Sequence, residues 1–151
     1  MNSSSRFGSL AEAIRLATEA HSDQTHDFGG PYILHPLRVM QRAAVASDYD
    51  ETTMIVAVLH DIVEDTHVGL KEIELRFGYV VRTLVDALTR RTGETYVDFI
   101  DRTKKLKVAT LVKICDLKDN LELSTIHPLP EPRRSKLYNR YQEALGVLGG
   151  V

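Results

Sequence analysis

Apolar residues recur along this chain mainly at three- and four-residue spacing, and alternating strand-like runs are almost absent. Ser9 is placed to cap a first helix through Ala20 or His21, whose apolar stripe is Leu10, Ala13, Ile14 and Ala17. Ser22 to Tyr32 contains Asp23, Asp27, Gly29, Gly30 and Pro31 and reads as a loop. Pro36 suits the first turn of a second helix, which does not need the missing N–H, so His35 stands at that helix's mouth and the helix runs to about Ala46. Asp50 caps a third helix carrying Met54, Ile55, Ala57, Val58, Leu59, Ile62 and Val63, apolar around most of its circumference and therefore central. Shorter helices follow over Gly69 to Phe77, ended by Gly78, and over Tyr79–Leu88. Thr95 opens another to about Arg102, Leu106–Leu121 forms a long one, and Glu131–Leu148 closes the chain after the Pro128/Pro130/Pro132 segment. The expectation is an all-α, single-domain helical bundle of about seven to eight helices, with a flexible N-terminus over residues 1–8 and the folded domain over 9–151.

Composition narrows the function classes. A length of 151 residues and 43% hydrophobic content suit one domain with its own core. The formal charge of −2, from 19 basic and 21 acidic residues, gives no global field for nucleic acid or an anionic membrane. Any phosphorylated ligand must be held by a local site. Cys115 is the only cysteine, which excludes an intrachain disulfide and a cysteine-based zinc site. MNSSSRFGSL lacks the pattern of a signal peptide, and no apolar run approaches the roughly 18 residues of a membrane span. The expected setting is the cytoplasm.

The segment Leu59 to Thr66, LHDIVEDT, carries the chemistry. His60 and Asp61 sit on an otherwise apolar helix, with Glu64 one turn beyond His60 and Asp65 one turn beyond Asp61. Ionisable groups are rarely buried unless paired or bound to metal. Taken alone, a His-Asp pair is more often a surface pair or a histidine satisfied by a neighbouring acid. His35, in YILHPL, and Asp116, which interrupts the apolar run of LVKICDLKDNLEL, shift that balance. Together they make a mixed nitrogen and oxygen donor set that suits manganese, iron, zinc or magnesium and leaves positions open for water and phosphate. Lys113, one turn before Asp116, is the basic residue placed closest to such a site, and Tyr32 precedes the His35 turn. Tyr138 and Tyr141 fit core packing better than stacking on a base, and Cys115 reads as a buried thiol.

The order His35…His60-Asp61…Asp116 is the H…HD…D signature of the HD superfamily. PYILHPLRV, VAVLHDIVEDT, LKEIELRFGYVVRTLVDALTR and VKICDLKDNLEL together resemble the hydrolase domain of Rel/Spo proteins, over about residues 9 to 125. The resemblance implies an HD-type helical fold and removal of the 3′-pyrophosphate from guanosine tetra- and pentaphosphate with one divalent ion, usually manganese. It makes His35, His60, Asp61 and Asp116 the metal ligands, Glu64 and Asp65 the pair that positions or activates the attacking water, and Asn120 a nucleotide contact. Lys113, His26 and Tyr32 join Asn120 as candidate substrate contacts. The basic pair that family members carry before the glycine-proline-tyrosine stretch falls here on His26 and Asp27. Two alternatives stay open: an HD phosphohydrolase acting on a nucleoside monophosphate, a deoxynucleotide or NADPH, and a non-catalytic nucleotide-binding domain. The expected partner is a nucleotide substrate, without nucleic acid or membrane, in a chain that can form a homodimer.

Overall fold

A computed structural model describes residues 6–150. Among these residues the protein is all-helical: α1 (Leu10–Ala20), α2 (Leu34–Ala46), α3 (Glu51–Leu59), α4 (Ile62–Asp65), α5 (Leu70–Phe77), α6 (Tyr79–Ala87), α7 (Tyr96–Lys104), α8 (Lys107–Ile126) and α9 (Arg133–Leu148). Three of the starts are fixed by the polar side chain expected there. Ser9 accepts the Glu12 N–H at 3.3 Å, Asp50 the Thr53 N–H at 2.9 Å and Thr95 the Asp98 N–H at 3.1 Å.

The single helix expected through His60 and Asp61 is instead two, α3 and α4, separated by those two residues. His60 explains the break. Its Nδ1–H donates to the Ala57 carbonyl at 2.7 Å, taking the acceptor that would otherwise receive the Asp61 N–H in a continuing helix. Adjacent residues on an unbroken helix point about 100° apart. The break lets His60 and Asp61 reach one site.

α3 is the central helix, with Ile55, Val56, Ala57, Val58 and Leu59 all buried, and it packs against α1, α2, α6 and α8. These elements share the larger hydrophobic cluster. A smaller one, Phe99, Ile100, Leu117, Ala144, Leu145 and Leu148, joins α7 and α9 to α8. Cys115 lies in the larger cluster, and burial raises its thiol pKa, as a structural cysteine requires. α8 runs five residues beyond the expected Leu121, since no glycine or proline intervenes before Pro128.

The segment between α1 and α2 folds back through a tight turn. His26 N–H bonds the Gly30 carbonyl at 2.9 Å, and Gly29 and Gly30 hold φ of 103° and 78°, values that a side chain disfavours. The expected flexible N-terminus lies mostly outside the described residues. Within them, Gly8 N–H is tied to the Arg76 carbonyl at 2.7 Å. No helix among the described residues is long and apolar enough to cross a membrane.

Candidate metal centre

Two helices and the α3–α4 break bring the four expected ligands together. His35 comes from the first turn of α2, His60 and Asp61 from the break, and Asp116 from the middle of α8. One ligand atom from each lies within 4.8 Å of the other three. His35 Nε2 is 2.9 Å from Asp116 Oδ1 and 3.6 Å from Asp61 Oδ2, while His60 Nε2 is 3.0 Å from Asp61 Oδ2 and 3.4 Å from Asp116 Oδ1. Two ligands about 2.1 Å from an ion and at right angles to each other stand about 3.0 Å apart, so these separations match the edges of a coordination polyhedron.

Both imidazoles are oriented from behind. His35 Nδ1–H donates to Asp119 Oδ2 at 2.7 Å, and Asp119 is itself held by Arg38 Nε at 3.0 Å. His60 Nδ1–H is fixed on the Ala57 carbonyl. Each Nε2 therefore faces the carboxylates. A neutral Nε2 lone pair cannot sit 2.9 Å from a carboxylate oxygen without a positive centre between them. In the protein alone, protons fill that role. Burial favours neutral imidazoles, yet Asp61 and Asp116 raise His60 well above its ordinary range, and bonds to Asp116 and Asp119 raise His35. Burial likewise opposes ionised acids, but Lys113, His60 and His35 hold Asp116 well below the usual carboxylate range, and His60 and His35 hold Asp61 low. His60 is 1% exposed and its Nε2 has no hydrogen bond of acceptable angle, a buried polar atom aimed at two acids. The cluster can hold a metal ion.

Asp61 also faces outward. Tyr32 Oη donates to Asp61 Oδ2 at 2.5 Å and lies 3.1 Å from Asp65 Oδ2. Burial and the charges of Asp61 and Asp65 keep this phenol protonated. Glu64 Oε1 accepts the Arg90 N–H at 2.8 Å. Asp61, Glu64 and Asp65 form a second acidic group next to the first. Burial, followed by the charges of Asp61 and Glu64, pushes Asp65 up to about 6.

These groups sit at the base of a cleft of about 530 Å³ between the 21–33 loop, α7, α8 and α9. All ten residues singled out from the sequence fall in or beneath it. Lys113 is there, but its ammonium is bound to Asp116 Oδ2 at 2.8 Å. Asn120 Nδ2 donates to Asp116 Oδ1 at 3.1 Å. His26 stacks on Tyr32 with ring centres 5.5 Å apart and lies 5.2 Å from His35. Tyr138 is not a core residue, since half of it is exposed, whereas Tyr141 packs on the α7–α9 cluster and lines the cleft. Sequence reasoning missed Asp119, and the cleft cations Arg90, Arg133 and Arg140. Asp119 carried a signal, its place one turn beyond Asp116 on the same helix face.

Compared with known proteins, the chain matches the family described as HD domain over residues 13–119. It belongs to that family. The HD domain is 33% identical over 147 residues to the guanosine-3′,5′-bis(diphosphate) 3′-pyrophosphohydrolase of Aquifex aeolicus, covering 92% of this chain and 21% of that protein. It is 30% identical to a probable GTP pyrophosphokinase of Mycobacterium leprae, over 92% of this chain and 18% of that protein. The HD domain thus spans about a fifth of the length of these curated relatives. Among solved structures it resembles one described as a metazoan ortholog of SpoT that hydrolyzes ppGpp, at a TM-score of 0.83 and 24% identity over 98% of this chain and 88% of that one. This likeness shows the shared fold.

Proposed function

We propose that this HD domain is a cytoplasmic, metal-dependent phosphohydrolase that removes the 3′-pyrophosphate of guanosine tetra- and pentaphosphate. The observation that carries the reading is the pair of Nε2 atoms, each fixed from behind, facing two carboxylates at polyhedron-edge distances. Relatives named for pyrophosphohydrolase and pyrophosphokinase activity support the nucleotide class.

His35, His60, Asp61 and Asp116 would hold one divalent ion, manganese in this reading, with iron, zinc or magnesium compatible with the same donors. Such an ion lowers the pKa of water and polarises a phosphoryl oxygen. The chain's own groups do the rest. Asp65, with a pKa near 6, accepts a proton close to neutrality, and Glu64, steadied by the Arg90 N–H, orients the attacking water beside it. Tyr32 fixes the Asp61 carboxylate and links it to Asp65. Asn120, Lys113 and His26 line the cleft where nucleotide would lie. Water attacks the 3′-attached phosphorus, the phosphorus–oxygen bond to the ribose breaks, and the leaving oxygen takes a proton, giving pyrophosphate with the 5′-diphosphate from the tetraphosphate or the 5′-triphosphate from the pentaphosphate.

The test is a substrate panel with the manganese-loaded protein. Pyrophosphate release from guanosine tetraphosphate supports the reading. Phosphate release only from monophosphates, deoxynucleotides or NADPH overturns the substrate, and inactivity with metal demonstrably bound overturns the enzyme. Glu64→Gln should keep its metal and lose about 10²- to 10⁴-fold in kcat, whereas His60→Ala should lose both metal and activity.

A further inference from the structure

With the metal ligands and the two water-handling acids assigned, the cleft cations can be sorted by what already occupies them. Lys113 is bound to Asp116 at 2.8 Å, Arg133 to Asp27 at 2.7 Å, and Arg90 Nε to the Glu94 carbonyl at 3.0 Å. Arg140, on α9, differs. Among the described residues it makes no ion pair and no hydrogen bond through its guanidinium, which instead lies 4.7 Å from the centre of the Tyr96 ring. Arg90 lies 5.8 Å from the same ring.

This arrangement has a physical consequence. A guanidinium held over a ring with none of its N–H groups engaged by another residue keeps those donors available for a bidentate pair with an anion. Two cations beside one ring repel each other, and no carboxylate on Arg140 offsets that repulsion among the described residues. An anion held by Arg140 would. Tyr96 also meets Phe99 edge-on at 6.1 Å, and Lys113 lies 5.2 Å from the Phe99 ring while bound to Asp116, so a continuous line of contacts runs from Arg140 to the metal ligands. The loop position where a basic pair was expected offers no such help, since Asp27 is acidic and is tied to Arg133 across the mouth.

We propose that Arg140, oriented by Tyr96 and flanked by Arg90, is the subsite for a second phosphate group of the substrate, and selects nucleotides phosphorylated at the end away from the scissile bond. The proposal deepens the function proposed above and rests on it for the orientation of the substrate. Arg140 is the specificity-determining contact, and Tyr96 is a positioning residue.

The experiment measures equilibrium binding of guanosine 5′-diphosphate and of guanosine to the metal-free full chain, so that no bound ion competes for phosphate. Arg140→Ala should weaken guanosine 5′-diphosphate tenfold or more and leave guanosine unchanged. Arg140→Lys should recover part of the loss, and Tyr96→Ala should reproduce part of it where Tyr96→Phe does not. In the manganese-loaded enzyme Arg140→Ala should raise KM for guanosine tetraphosphate with kcat little changed. Equal diphosphate affinity in wild type and Arg140→Ala overturns the subsite, as does equal weakening of both probes. Selective loss of the diphosphate in a protein that does not hydrolyse guanosine tetraphosphate would leave the subsite standing and overturn the function instead.

Discussion

Asp119 contributes to the centre without facing it. It is 1% exposed, accepts the His35 Nδ1–H at 2.7 Å and is neutralised by Arg38. Burial opposes its charge, but His35 and Arg38 outweigh that and hold its pKa below the ordinary value, so it is ionised where its negative charge makes His35 a better donor to a cation. Asp119→Ala should weaken metal binding by about 10- to 100-fold, read by competition with a chromophoric chelator, and Asp119→Asn should lose less because its amide oxygen still accepts the Nδ1–H. Unchanged affinity in Asp119→Ala would remove its positioning role. The candidate ligands were legible in the sequence because His60-Asp61 and Asp116 interrupt apolar runs and because, with His35, they follow the H…HD…D order of a known family. The place of Asp119 one turn beyond Asp116 was legible too, but its role was not, because that depends on which way one imidazole turns, and a one-dimensional pattern does not carry that rotation. The Asp27–Arg133 pair was hidden for a related reason: the two residues stand 106 positions apart and meet only through the packing of α9.

At the scale of elements, the sequence pattern predicted helix identity better than helix continuity. Caps and apolar stripes are local signals, so Ser9, Asp50 and Thr95 marked their helices correctly. The α3–α4 break is not local in that sense: the apolar run continues through Ile62 and Val63, and only the His60 ring turned onto the Ala57 carbonyl interrupts it. The connection between α6 and α7 is held by another side chain. Arg102 reaches Glu94 through two bonds of 2.8 and 2.9 Å and also donates to the carbonyls of Asp86 and Thr89 at the end of α6. The Arg102 bond lowers the Glu94 pKa from 4.5 to about 2, with Arg91 adding to it. A depressed carboxyl stabilises the fold above its unfolded pKa and loses that contribution as pH falls through the folded one. The wild-type protein should therefore lose this contribution between about pH 4.5 and pH 2. Arg102→Met should be less stable at pH 7 by roughly 1–2 kcal/mol, and its deficit should shrink across that acid window, as measured by denaturant unfolding at several pH values. A deficit independent of pH would show that the carbonyl contacts, and not the ion pair, hold the connection.

At the scale of the whole molecule, the candidate centre joins parts of the chain that the two hydrophobic clusters leave to separate elements. His35 and Asp116 are 81 residues apart, and α8, which carries Asp116, also carries Leu117 into the smaller cluster. An unfolded chain offers no such juxtaposition, so an ion held by these four groups binds the folded state almost exclusively and stabilises it by mass action. At a free-metal concentration about 1,000 times Kd the gain is about 4 kcal/mol, which for a chain of this size raises Tm by roughly 8–16 °C. The fold should nevertheless survive chelation, because His35 and His60 take up protons in place of the ion and leave neither carboxylate facing a bare lone pair. Thermal unfolding should thus show a single cooperative transition with and without chelator, displaced downward by about ten degrees when the metal is removed. In His60→Ala the displacement should vanish, since the buried nitrogen aimed at both carboxylates is gone. A metal-dependent shift of full size in that variant would place the ion elsewhere on the molecule, whereas complete unfolding on chelation would mean that the protonated histidines do not substitute for it.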